Sequence, residues 1–107
     1  MDKVHIKGFV HSISGIKPIG KNGYVNQVVV LHIPEETFRG KKVLAEYFVI
    51  TIFSNSTADS RFIQPEVVSK AIGAEAHAEC YLKGERWIDN GGVETFTHKL
   101  NLVQWVK

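Results

Sequence analysis

Apolar and polar positions alternate along much of this chain with the period of two that puts successive side chains on opposite faces of a half-buried strand. In the opening segment Val4, Ile6, Gly8 and Val10 take one phase, while Lys3, His5, Lys7, Phe9 and His11 take the other. Ser12 to Gly23 breaks the pattern, and its Gly15, Pro18, Gly20 and Gly23 predict a flexible loop. Tyr24 to Ile33 predicts a second strand, nearly all apolar around VVVL and ended by Pro34. Pro34 to Lys42 reads as a charged hairpin loop carrying Phe38 and Arg39. Val43 to Ser54 predicts a third strand, with Phe48, Ile50 and Ile52 on the core face and Tyr47, Val49, Thr51 and Phe53 on the other. An aromatic at each end of the second set has no evident use on a solvated surface.

The one helical candidate is Thr57 to Ile72, with Asp59 as its N-cap and Gly73 just past its end. Pro65 makes that helix short or broken, and a fresh start at Pro65 as the first helical residue is the alternative. A fourth strand follows, with Ala74, Ala76, Ala78, Cys80 and Leu82 facing one way and Glu75, His77, Glu79, Tyr81 and Lys83 the other. Val93 to Val103 forms the last strand, with Phe96, His98, Leu100 and Leu102 on one face, and Trp105 and Val106 near the end of the chain. Five strands with one short helix between the third and fourth is the order of the OB-fold, an all-β, partly closed Greek-key barrel.

Composition narrows the class without choosing the partner. A chain of 107 residues at 44% hydrophobic content is expected to be one domain, residues 1–107, of the soluble globular type. No run approaches the roughly 18 apolar residues of a membrane span, and Met1-Asp2-Lys3-Val4-His5 lacks the apolar core of a secretion signal, so a cytoplasmic location is expected. The single cysteine, Cys80, has no internal disulfide partner and reads as a small buried residue, not a nucleophile. A formal net charge of +2 is weaker than the excess expected of a nonspecific duplex binder. The distribution of cations is more telling, because Lys7, Lys21, Arg39, Lys42, Lys83, Arg86 and Lys99 lie in or beside the strands and loops and predict a basic groove.

The most specific stretch is Leu82 to Leu100, LKGERWIDNGGVETFTHKL. Asp89, Asn90, Gly91 and Gly92 supply the backbone freedom of a long hairpin. Trp87, beside Lys83 and Arg86, offers a base a stacking surface while the cations meet phosphates. No nucleophile elbow, phosphate loop or metal signature appears, and the five histidines do not have HExxH or paired-Cys spacing. Neither catalysis nor a cofactor is expected.

The segments DKVHIKGFV, NGYV, EYFVITIF and IGAEAHAECYLKGERWIDNGGVETFTHKL together resemble the bacterial single-stranded DNA-binding protein family over nearly the whole chain. By position, the resemblance implies that Tyr47 and Phe53 are base-stacking aromatics, that Trp87 is the stacking Trp of the arm, and that Phe38 replaces a further aromatic of the loop. It also implies sequence-independent binding of single-stranded DNA in replication, recombination or repair, by a homotetramer or homodimer. The sequence departs from the family in stopping at Lys107, without a flexible tail and acidic tip. A trimmed domain, a phage or mobile-element variant and a relative of the tail-less primosomal replication protein are all consistent with that. Replication or repair partners would then be reached by other means.

Other readings of the same residues stay open. Tyr47 and Phe53 suit a subunit interface as well as a base, and each cation suits a solvated surface. Trp105 is expected to pack on the barrel or a neighbouring subunit. An OB-fold module that binds a protein partner of a replication or primosome complex is the competing functional class.

Overall fold

The computed structural model describes residues 3–107; Met1 and Asp2, part of the stretch read for a secretion signal and of the segment DKVHIKGFV, lie outside the described residues. The alternating segments form strands β1 (Lys3–Ile13), β3 (Tyr24–Ile33), β6 (Glu46–Ser54), β7 (Glu75–Ile88) and β8 (Glu94–Trp105). Three short strands join them: β2 (Lys17–Ile19), β4 (Glu36–Phe38) and β5 (Lys41–Val43). Every second residue of the long strands points inward, so Ile6, Val10, Val29, Leu31, Ile50, Ile52, Ala78, Cys80 and Leu102 join Phe62 in one core.

The ring runs β1-β7-β8-β6-β3 and returns to β1, with β2 added outside it along β3. This is an OB-fold barrel with five principal strands and one short helix. β1 closes it by using its two ends differently, pairing with β7 from Lys3↔Tyr81 to Phe9↔Glu75 and with β3 from Phe9↔His32 to Ile13↔Val29. At that transfer the strands nearly touch: a Cβ on Gly8 would stand 2.8 Å from the His32 carbonyl oxygen. Only a residue without a side chain lets β1 bend so close to β3.

The helix is shorter than the span Thr57 to Ile72 expected from Asp59 as N-cap and Gly73 past the end. A 3₁₀ turn begins at Pro65 and leads into α1 (Val68–Ala71), so the fresh start at Pro65 is the version that forms. Asp59 caps no helix. Its carboxylate accepts the Arg61 backbone N–H at 2.9 Å and pairs with the Arg61 guanidinium, turning the chain before Phe62. Buried Gln27 fastens this segment to the barrel, donating to the carbonyls of Ser14 and Ile63 and accepting the Ile63 N–H at 2.8 Å. Trp105 packs on the same end, its Nε1 donating to the Arg61 carbonyl at 2.9 Å.

Three further expectations need correction. Ser12 to Gly23 is not all loop, since Lys17–Ile19 pairs with β3. The charged hairpin loop read over Pro34 to Lys42 carries strands of its own, since Glu36–Phe38 and Lys41–Val43 form a separate two-stranded hairpin. The third strand starts at Glu46 instead of Val43, which belongs to β5. None of these short strands buries a side chain, so no alternation marks them.

Beyond Tyr81, among the described residues, β7 pairs only with β8, and the two continue as a ribbon to Ile88↔Glu94. No residue from Leu82 to Leu100 is buried. With this arm and the β4-β5 hairpin projecting, the radius of gyration is 16.1 Å, against about 13 Å expected for a compact chain of this length.

Candidate nucleic-acid interface

The outward face of β6 holds the first group of predicted residues. Tyr47, Val49 and Phe53 are exposed there, opposite in register to His32, Val30 and Asn26 of β3. Phe53 is held from behind, because Arg61 donates to its carbonyl oxygen as well as to that of Leu102. The ends of β6 and β8 are thereby fixed by one guanidinium, whose planar set of donors suits several acceptors at once. Arg61 in turn holds the Asp59 carboxyl well below its usual range, chiefly through their side-chain hydrogen bond.

The arm holds the second group. Register sorts its residues by face: Lys83↔Lys99, Glu85↔Thr97 and Trp87↔Thr95 point outward, whereas Leu82↔Leu100, Gly84↔His98 and Arg86↔Phe96 share the parity of the core residues. Trp87 is 55% exposed and lies back along the arm, its Nε1 3.4 Å from the Thr97 hydroxyl. Lys83 therefore accompanies Trp87, but Arg86 does not. The expectation that Trp87 lies beside both Lys83 and Arg86 is corrected for Arg86, because adjacent strand residues point to opposite sides. Arg86 instead lies 3.8 Å from Glu94.

A turn built by Asp89 ends the arm. Its Oδ1 accepts the N–H groups of Gly91 and Val93 at 2.8 and 2.9 Å, and Gly92 takes a φ of 81°. β8 meets β6 only at Ile50↔Leu100 and Thr51↔Asn101, so the arm leaves the ring just where the exposed face of β6 begins. An apolar mouth of about 440 Å³ opens at this junction, lined by Val4, Ile6, Phe48, Leu82, His98 and Leu100 together with Tyr47 and Val49.

The third group is on the β4-β5 hairpin. Phe38 is 62% exposed, and the Arg39 guanidinium lies 5.2 Å from its ring centroid, within reach of a cation–π contact. Arg39 has a φ of 52°, which a non-glycine residue seldom adopts. Lys42 makes a 2.7 Å ion pair with Glu35, and Lys99 a 3.3 Å pair with Glu85. Both cations are thus partly neutralised within the chain. Lys7 is apart from all three groups, on β1 opposite His77, and Lys21 lies in the turn between β2 and β3.

Two residues absent from the sequence-based set sit beside Tyr47. The His32 ring stacks on Tyr47 with centroids 4.8 Å apart and planes 27° from parallel, and His11 meets Tyr47 edge-on at 5.2 Å. His32 was hidden in the run VVVLHI, whose apolar character suggests burial on both faces. The signal was the parity it shares with Val28 and Val30, which place it outward. Elsewhere on β1, His5 Nδ1 is 2.9 Å from His77 Nε2, and His77 is held below its usual pKa by partial desolvation, Lys7 and His5.

Among the described residues there is no group of three or more His, Cys, Asp or Glu placed to hold a metal ion. Burial pushes the Cys80 thiol up to about 11. No helix among the described residues is long and apolar enough to cross a membrane.

No protein-family model matches this chain, and no curated protein matches its sequence. Among solved structures, it is similar to that of a Plasmodium falciparum SSB in complex with ssDNA. The TM-score is 0.62 over 99% of this chain and 91% of that one, at 16% identity. The likeness is one of fold.

Proposed function

We propose that this OB-fold binds single-stranded DNA without sequence specificity, stacking bases on exposed aromatics and meeting phosphates with the cations between them. The observation that carries this reading is the outward surface where β6 adjoins the arm. Tyr47 and Phe53 are 55% and 41% exposed on one face of β6, and Trp87, Lys83 and Lys99 share the outward face of the arm. Flat rings beside flexible cations suit a strand whose bases are unpaired, and every base has a face to stack. The structural neighbour, described as an SSB complex with ssDNA, supports the same ligand.

On this reading the chain is a binding module and not an enzyme, acting as an accessory in replication, recombination or repair. Self-association into a dimer or tetramer would lengthen the binding path and raise avidity. Stacking is worth roughly 1–3 kcal/mol per base, so a few aromatics outweigh cations already paired with Glu35 and Glu85. A second reading, a protein-binding OB-fold, is favoured by the other face of the arm, where Leu82, Ile88 and Phe96 are exposed beside Arg86.

Titrating Trp fluorescence with oligo-dT and with a duplex of equal length, at two salt concentrations, separates the two. Quenching by oligo-dT alone, lost in Trp87→Phe but retained in Trp105→Phe, is the expected result. Absence of any response in fluorescence and in a parallel anisotropy titration of labelled oligo-dT overturns single-strand binding and leaves the protein-partner reading.

A further inference from the structure

We propose that His11 and His32 complete a three-ring platform with Tyr47 and make its grip on single-stranded DNA depend on protons. The inference rests on the DNA-binding reading and extends the binding surface from β6 across β3 to β1. In register, Phe9, His32 and Tyr47 form one row over three adjacent strands, and His11 closes on the same tyrosine. His11 and His32 are 6.1 Å apart, so three rings occupy one patch of the outward surface.

The chemistry of this patch differs from that of the arm. Trp87 offers only a π-face and an N–H, and the lysines offer a charge that does not change near neutrality. An imidazole offers both in turn: a ring for stacking when neutral, and a cation with two N–H donors when protonated. In the adjoining register the charged or titratable groups are Lys7 on β1 and Glu75 and His77 on β7, while Glu46 precedes Tyr47 on β6 at a position of the opposite parity. Among the described residues no carboxylate forms an ion pair with His11 or His32. Charge gained there remains available to a phosphate. Because His32 already covers one face of Tyr47, a base is stacked against the open side of this pair, and its flanking phosphates fall near the imidazoles.

The test is anisotropy with oligo-dT, whose base does not titrate in this range, at pH 8.0 and pH 5.5 and at several salt concentrations. Wild-type affinity is expected to rise about tenfold at the lower pH, and the log–log salt slope to steepen by about 1.4, for two added phosphate contacts at roughly 0.7 each. The double variant His11→Gln/His32→Gln is expected to lose most of both changes, whereas His98→Gln, at the barrel mouth, keeps them. His11→Lys, with one fixed charge, is expected to recover about half of the wild-type gain at pH 8.0 on a logarithmic scale, with a salt slope steeper by about 0.7 than that of wild type at the same pH.

A merely structural role for the two histidines would lower affinity equally at both pH values and leave the slope difference intact, and that result overturns the proposal. So does wild-type binding that is indifferent to pH. Failure of wild type to bind oligo-dT under any of these conditions instead removes the DNA-binding reading itself, and this inference with it.

Discussion

The two ends of the molecule solve opposite problems. At the end closed by Phe62, polar groups taken from water are matched: buried Gln27 makes three hydrogen bonds, and Arg61 bonds Asp59 and the carbonyls of Phe53 and Leu102. At the other end, the arm leaves Trp87, Ile88, Val93 and Phe96 each more than half exposed, without covering. A two-stranded ribbon has little stability of its own, so the arm relies on the barrel to exist. The comparison separates residues that hold the fold from residues free to bind.

The sharpest way to break that division is at Gln27. Gln27→Leu keeps the bulk but strands the Ile63 N–H and carbonyl, and is expected to cost about 3 kcal/mol of stability in a denaturant titration. Oligo-dT affinity of the folded fraction should stay as in wild type. The converse substitution is Trp87→Ala, expected to leave the unfolding midpoint within about 0.5 kcal/mol of wild type and to weaken oligo-dT binding by about 2 kcal/mol. Phe53→Ala should act similarly, and Lys99→Ala less. If Trp87→Ala unfolds the protein, the arm belongs with the structural end.

Asp59→Asn tests the closed end more gently, with an expected loss of about 1–2 kcal/mol at pH 7 from a weakened charge-assisted hydrogen bond. The sign of its pH dependence follows from the lowered pKa of the folded carboxyl. The contribution is complete above the ordinary carboxylate range, near pH 4, and fades as acid approaches the folded value. Wild type should therefore lose stability on acidification more steeply than Asp59→Asn. The smallest effect belongs to Asp89→Ala at the arm's tip. Amide exchange of Gly91 and Val93 should quicken while the global midpoint moves by less than about 0.5 kcal/mol.

The parts of the fold that were legible in the sequence are those where one face of a strand is buried. Val4 to Val10 and Phe48 to Ile52 alternate because the barrel interior imposes a period of two, and their core faces were read correctly. Where burial is absent the signal vanishes, so the β4-β5 hairpin and β2 passed as loop. The helical expectation runs too far because Asp59 resembles an N-cap in sequence, whereas its carboxylate and Arg61 hold that segment as turns. In the candidate site, Tyr47, Phe53 and Trp87 stood out as large rings at outward positions. Arg86 and Trp87 are neighbours in sequence but face opposite sides of the ribbon, and His32 carries little signal because its strand is nearly all apolar around VVVL.

The isolation of Cys80 makes the molecule convenient to label. Fully buried, with its thiol pushed up to about 11, it is poorly placed to react as a thiolate near neutrality. A cysteine placed at exposed Thr95, across the ribbon from Trp87, would then be the fast-reacting thiol, with no need to remove the native one. A fluorophore or spin label there would report arm movement directly in an otherwise natural chain.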